Sequence, residues 1–234
     1  MDKDDFIYIP LYGYIYRPDF EDLTINTLLN DGVWERNVIQ FFDEYIQEDF
    51  VIIDAGTCMA LHAIYMSHLC PKGKIYAFEP SRINYEIAKK NIEINELKNV
   101  ILSSNALGNE ERIVYNSSQA KSNLSLFVIR DGLPTKMIDW LTTDHRHDYQ
   151  HPIKMIHGDS LNLQRLDLIR LDCEGYEYNV LEGFKNTIDK FKPLILFECH
   201  EEFILDKDPR VLVESFGYKF VSKHDYDYFY QYEG

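Results

Sequence analysis

The stretch VIIDAGTCMALHA, residues 51–63, decides how this chain is read. With Phe50 ahead of it, FVIIDAG is a continuous apolar run ending in a turn, the pattern of a strand buried on both faces. Gly56 permits a tight turn, and ALHAIYMSHL then reads as a helix stopped by Pro71 and Gly73. A strand, a glycine turn and a helix in that order place helix amides in a crevice at the carboxyl end of a sheet. The loop lacks the GxGxxG spacing that cradles a pyrophosphate, and Ala60 stands where a second glycine is expected. If Ala60 takes helical dihedrals, its methyl adds a small steric term and no strain.

The same alternation runs outward from this unit. KIYAFEP (74–80) reads as a second strand, SRINYEIAKKNIEIN (81–95) as a helix with Ser81 at its N-cap, and VILSSNALG (100–108) as a third strand and its exit loop. DLIRLDCEG (167–175) reads as a fourth strand, YEYNVLEGFKNTIDKF (176–191) as one helix and PLILFECH (193–200) as a fifth strand. GYKFVSKHDYDYFYQY (217–232) closes the chain as an antiparallel hairpin turning near His224-Asp225. Upstream, residues 1–48 form an N-terminal extension that packs on the sheet. Within it, FIYIPLYGYIY (6–16) reads as extended and WERNVIQFFDEYI (34–46) carries apolar residues at helical spacing. Residues 112–160 interrupt the alternation, with a weak helix at TKMIDWL, and read as an insertion near the acceptor site. The expected architecture is one α/β domain over residues 1–234. Its Rossmann-like sheet is mainly parallel, seven-stranded and finished by the C-terminal hairpin, with helices on both faces.

Composition narrows the function. A formal net charge of −15 on 234 residues repels polyanions, so nucleic acid is not expected as a partner. No run approaches the roughly 20 apolar residues of a membrane span. MDKDDFIYIP has no basic region followed by an apolar core, which points away from a secretory leader and toward the cytoplasm. Cys58, Cys70, Cys173 and Cys199 form no CxxC pair and read as free thiols.

Without a phosphate cradle, the loop suits a cofactor held by polar side chains. S-adenosyl-L-methionine fits, because its sulfonium is cationic and its amino-acid tail zwitterionic. Glu79, at the end of the second strand, is placed to accept both hydroxyls of a ribose. Asp54 either caps the turn or reaches the cofactor, directly or through water.

The blocks VIIDAGTCMALHA, FEPSRINYEIAKKNIEIN, NALGN, DLIRLDCEGYEYNVLEGF and PLILFECH, in that order, resemble those of the FkbM-type methyltransferases over roughly residues 32–222. The resemblance implies a class I methyltransferase fold and S-adenosylmethionine-dependent O-methylation of a sugar or glycan hydroxyl, or of another hydroxylated small molecule. It also implies cofactor contacts. Glu35 supplies one from the block Gly32-Val33-Trp34-Glu35. Asp54, Gly56, Thr57, Cys58 and Ala60 supply others from the loop, Glu79 and Pro80 from FEP, Asn105 and Ala106 beside the adenine, and Asp172 from the fourth strand. Four departures stand out: Thr57 replaces the family's usual alanine, Cys58 its asparagine, Ala60 its second glycine, and Arg170 its lysine. Asn162 stands where aspartate is frequent.

The acidic residues at the strand ends suggest the chemistry. Asp172 and Glu174 share a side if the fourth strand continues that far, as do Glu198 and His200 at the end of the fifth. An alcohol needs a base or a metal to take charge of its proton before it attacks a methyl group. Asp172, Glu174, Glu198 and His200 are therefore the catalytic candidates, His200 being suited to neutral pH. In the alternative, Mg²⁺ or Mn²⁺ sits on Asp172 and Glu198, with His200 as a possible third ligand. Glu174 and Glu177 also suit a helix dipole. His145, His147 and His151 read as a solvated loop, and Ser122 and Asn123 resemble a family position near the acceptor. Two rival functions remain: a non-catalytic module that binds cofactor poorly because of Cys58 and Ala60, and a nicotinamide-dependent oxidoreductase, which the missing GxGxxG disfavours.

Overall fold

The computed structural model describes residues 5–119, 127–129, 152–201, 204 and 207–234. The chain opens with strands β1 (Phe6–Ile9) and β2 (Gly13–Tyr16) and helices α1 (Leu23–Asp31) and α2 (Arg36–Tyr45). Alternation follows: β3 (Val51–Ala55), α3 (Leu61–Leu69), β4 (Lys74–Phe78), α4 (Arg82–Ile94) and β5 (Val100–Ser103). Short strands β6 (Ala106–Gly108), β7 (Arg112–Val114), β8 (Asn116–Gln119) and β9 (Phe127–Ile129) precede β10 (Ile153–His157). The chain ends with β11 (Leu168–Leu171), α5 (Glu177–Gly183), α6 (Lys185–Phe191), β12 (Leu194–Glu198), α7 (Pro209–Ser215), β13 (Tyr218–His224) and β14 (Asp227–Tyr232).

The central sheet has seven strands in the order β13-β14-β12-β11-β3-β4-β5. The five from β12 to β5 are parallel, and the β13–β14 hairpin joins antiparallel through β14. Successive residues point to opposite faces, so Ile52, Leu168 and Leu196 enter one core while Ile53, Ile169 and Ile195 enter the other. Helices cover both faces, which is why these strands read as unbroken apolar runs. The chain leaves β3 in one direction across the sheet and returns to β11 on its other side. The carboxyl ends of β3 and β11 therefore flank the switch point, where ligands of open α/β sheets bind.

Several elements differ from the sequence reading. Residues 100–108 are not one strand and its loop: β6 leaves the main sheet and pairs with β10, which also pairs with β7. That small sheet occupies both ends of the expected insertion; the TKMIDWL segment, Ser122, Asn123, His145, His147 and His151 lie outside the described residues. The helix expected over 176–191 is two, broken at Phe184 (φ −100). The break follows Gly183, where a Cβ would lie 1.9 Å from the Gly108 carbonyl oxygen. In the N-terminal region, FIYIPLYGYIY is extended as expected, folded back as the β1–β2 hairpin, but residues 23–31 are helical, which was not expected.

The hairpin reaches the sheet through α4. Asn91 Oδ1 accepts from the Tyr16 amide at 2.7 Å, and Asn95 bonds both backbone groups of Tyr14. Helix α2 lies on the sheet itself, with Phe41 edge-on to Phe229 of β14 at 4.5 Å. Among the described residues no helix is long and apolar enough to cross a membrane.

Candidate active site

The site is organised around Gly56 (φ +78), where a Cβ would lie 1.7 Å from the Asp172 carbonyl oxygen. Only glycine lets the ends of β3 and β11 approach this closely. Beyond it the loop is strained, with Cys58 at φ 50 and Ala60 at φ 64. Ala60 is left-handed rather than helical, against the strain-free alternative, and it is the N-cap of α3. A left-handed alanine costs roughly 1–2 kcal/mol. Glu35 (φ 48) and Glu174 (φ 51) are also left-handed. Such strain characteristically gathers at functional sites.

On one side of the loop lies a cleft of about 570 Å³, counting its open mouth. Glu79, Pro80, Asn105 and Ala106 line it, together with Asn84 and Tyr176. Glu79 is buried, and its two oxygens accept from the Cys58 amide (2.7 Å) and the Ser81 amide (2.8 Å). Burial pushes its carboxyl up to about 8, although those two amides favour the charged form. Glu79 thus locks the loop to β4 while presenting its carboxylate at the cleft wall.

On the other side, an adjoining cavity of about 310 Å³ shares Gly56, Cys58 and Asp172 with the first. Trp34, Thr57, His62 and Arg170 complete much of its wall. Tyr12 holds Trp34 in place, donating its hydroxyl to the Trp34 carbonyl and accepting from the Trp34 amide. Arg170 is 3% exposed and lies directly across the sheet from Asp54. Its guanidinium donates to Asp54 (3.3 Å), the Gly56 carbonyl (3.2 Å) and Asp172 (2.8 Å), and lies 3.7 Å from Glu35. Burial opposes that charge, but Asp172, Asp54 and Glu35 more than restore it, so the pKa is raised. Thr57 donates to the other Asp54 oxygen at 2.5 Å. Asp54 thus has one oxygen bonded to Arg170 and the other to Thr57.

Beyond Asp172, carboxylates crowd together. Asp172, Glu174 and Glu198 each offer an oxygen, all within 4.8 Å of one another. Strand β11 ends at Leu171, so the turn, not strand alternation, brings Glu174 to Asp172. Burial, first, and neighbouring carboxylates raise the pKa of Asp172, Glu174 and Glu198. The same causes lift Glu35 to about 8, and burial lifts Asp227 of β14 to about 7. Glu198 faces His200 Nε2 at 3.4 Å, and His200 packs on Tyr226. Glu177, by contrast, is structural: it accepts from the Cys173 and Gly175 amides and fixes the turn.

A family model described as the methyltransferase FkbM domain matches residues 54–220, well over half of the chain. The chain belongs to the FkbM methyltransferase family. It is 27% identical over 146 residues to Methyltransferase 1 of Beauveria bassiana, covering 58% of this chain and 59% of that one. It therefore spans less than two thirds of that relative's length. It is 25% identical over 192 residues to the hexuronic acid methyltransferase AglP of Haloferax volcanii, covering 80% and 72%. The crystal structure of Methyltransferase FkbM from Methylobacillus flagellatus superposes with a TM-score of 0.55 at 14% identity, over 89% of this chain and 54% of that one. That likeness bears on the fold alone, which is the class I methyltransferase fold.

Within this FkbM domain, the expected residues divide between the two cavities. Gly56, Cys58, Glu79, Pro80, Asn105, Ala106, Asp172 and Glu174 line the larger one, whereas Thr57 opens on the smaller. Glu198 and His200 line a third hollow of about 390 Å³ with Tyr178 and Lys207. Ala60 is wholly buried behind the loop, and Asp54 beneath it. His200 is not the third member of the carboxylate cluster; Glu174 is. Sequence reading passed over Arg170 as a site residue, and missed His62 and Asp227 altogether. Register carries Arg170 to Asp54, and the closing hairpin carries Asp227 to the acid cluster, so neither signal is local.

Proposed function

We propose that this FkbM-family methyltransferase moves a methyl group from S-adenosylmethionine to a hydroxyl of a sugar or glycan. The observation that carries the donor is the pair of adjoining cavities sharing Gly56, Cys58 and Asp172. The larger, with the Glu79 carboxylate and Asn105-Ala106, suits a nucleoside. The smaller is crowded by Glu35 and Asp172 and suits a tail bearing an ammonium. Bound across both, the donor would supply a methyl-bearing sulfonium beside Asp172, which the two cavities share. Such a ligand is long, cationic and free of phosphate, matching a loop without a phosphate cradle.

When bound, the donor would supply a methyl group to an in-line acceptor oxygen, the carbon–sulfur electron pair leaving with sulfur as a neutral thioether. The hydroxyl proton passes to the Asp172–Glu198–His200 group. Burial and mutual repulsion raise the basicity of these carboxylates. Holding both reactants in line contributes further, on the order of 7–11 kcal/mol in favourable cases. A carbohydrate acceptor is supported by the similarity to a hexuronic acid methyltransferase and by the hollow beside His200, which Glu198, Tyr178 and Lys207 also line. Other hydroxylated small molecules are the alternative.

Turnover of labelled S-adenosylmethionine against hexose, deoxysugar and uronic acid glycans tests the proposal, with non-sugar alcohols alongside. Methylated glycan is the expected product; no methylated acceptor with any alcohol, despite donor binding, sinks it in favour of a non-catalytic module. A parallel run with chelator tests the Mg²⁺ or Mn²⁺ alternative on Asp172, Glu174 and Glu198, and unchanged activity rejects it.

A further inference from the structure

Two polar residues that line the smaller cavity, Thr24 and His62, have no role in this scheme, and His62 sits beside a third, Glu35. Among the described residues, Thr24 Oγ1, Glu35 Oε2 and His62 Nε2 are buried without a hydrogen-bond partner. Thr24 is 2% exposed and His62 4%. Both line the cavity of about 310 Å³, and Glu35 Oε2 faces His62 Nε2 at 3.4 Å. An unsatisfied buried polar atom is costly, so Thr24 and His62 on one cavity wall, with Glu35 beside His62, point to a polar ligand that completes them. Their chemistry narrows the ligand. Burial, aided by Arg170, holds His62 well below its ordinary pKa, so the ring is neutral and keeps one N–H. Arg170 itself is occupied by Asp54, Asp172 and the Gly56 carbonyl. What remains is a hydroxyl, an imidazole and an acidic wall, the complement of a carboxylate next to an ammonium. The position of Thr24 is fixed, because Asp22 caps α1 by accepting from the Thr24 and Ile25 amides. Thr24 and Glu35 both precede residue 54, outside the matched family region.

We infer that Thr24 and His62 donate hydrogen bonds to the α-carboxylate of the methyl donor's amino-acid tail while Glu35 accepts from its ammonium, making helix α1 part of the donor site. The inference rests on the reading of this chain as an S-adenosylmethionine-dependent enzyme. Calorimetric titration with two probes separates the two claims: S-adenosylhomocysteine, and 5′-methylthioadenosine, which has the nucleoside and sulfur but no amino-acid tail. Wild-type protein binds S-adenosylhomocysteine more tightly. Thr24→Val and His62→Phe each weaken it about tenfold, as loss of a bond to a charged group requires, and leave 5′-methylthioadenosine within about twofold. Phe preserves the edge contact that His62 makes with Phe42. Thr24→Ser, which keeps the hydroxyl, binds both probes as wild type does. The inference fails if the variants bind S-adenosylhomocysteine normally, or lose both probes in parallel. It also fails alone if wild type binds the two probes equally, because the tail then makes no net contact. If wild type binds neither, the donor reading fails and takes this inference with it.

Discussion

The two sides of the Gly56–Ala60 loop solve the same problem in opposite ways. On the Glu79 side, the buried carboxylate is met by two backbone amides, and the wall is complete before any ligand arrives. On the Arg170 side, one guanidinium touches Asp54 and Asp172, lies near Glu35, and faces further carboxylates at Glu198 and Asp227. There, polar atoms are left over and several carboxyls stand far above their usual range. One half presents a finished polar wall; the other crowds carboxylates around one guanidinium and leaves polar atoms unfilled. The difference teaches where affinity and where stability reside. On the proposed reading, nucleoside contacts add to a finished surface, whereas the ammonium of the donor's tail also relieves repulsion already present.

The largest test of that contrast is Arg170→Met. Removing one partner of a buried charge network costs about 3–5 kcal/mol. At roughly 2–4 °C per kcal/mol for a chain of this size, melting falls by on the order of 10 °C. Arg170→Lys should recover part of the loss. An unchanged melting temperature for Arg170→Met breaks the claim that the guanidinium holds this half together. Asp172→Asn comes next. It should bind the donor within about tenfold of wild type but lose turnover by about 10²–10⁴, the range of general-base catalysis. Full turnover in single-cycle assays removes Asp172 from the chemistry.

Glu79→Gln probes the other half. Replacing this carboxyl group should weaken 5′-methylthioadenosine and S-adenosylhomocysteine alike, by about 10- to 100-fold, corresponding to roughly 1.5–3 kcal/mol. Equal loss for both probes distinguishes this residue from Thr24 and His62. The pH profile sharpens the contrast further. Glu35 and Glu79 rise to about 8, and Glu177 and Asp227 to about 7, all chiefly through burial. Unfolded, these groups titrate near about 4. Between those limits the folded chain holds protons that the unfolded chain has released, so stability falls as pH rises. Their contribution is complete below about pH 4 and gone above about pH 8. The ligand-free protein should melt progressively lower from pH 5.5 to 8.5 in thermal scans, and S-adenosylmethionine should flatten that slope. A rising profile contradicts the assignment of these groups as buried acids.

Much of this arrangement was legible because its signals are local. Parallel strands covered on both faces read as unbroken apolar runs. Glu79 and Asp172 sit at the ends of such runs, and topology carries strand ends to the crevice. What escaped falls into two kinds. Helices α1 and α7 had visible boundary signals: Asp22 and Gly32 bracket the first, and Asp208-Pro209 opens the second. Mixed polar composition in a tyrosine-rich segment obscured the first. The partners of Arg170 and the arrival of Asp227 had no local signal, since both depend on which strand lies beside which. The same holds for β6, whose partner β10 lies at the far end of the expected insertion.

The smallest predicted effect is also the finest test of the strained loop. Ala60→Gly removes the left-handed penalty of roughly 1–2 kcal/mol. Against that, glycine adds unfolded-chain entropy of about 0.4–1 kcal/mol, and deletion of a wholly buried methyl forfeits about 0.8 kcal/mol. The three contributions nearly cancel, so melting should move by no more than about 2–4 °C, the shift that 1 kcal/mol gives at this size. Binding need not cancel. Without the methyl, the amides at the start of α3 can shift closer to the donor, and S-adenosylhomocysteine should bind a few times more tightly in calorimetry. A large loss of stability with unchanged affinity means instead that the Ala60 methyl is a packing element of the α3 core, and that the loop already sits where the donor needs it.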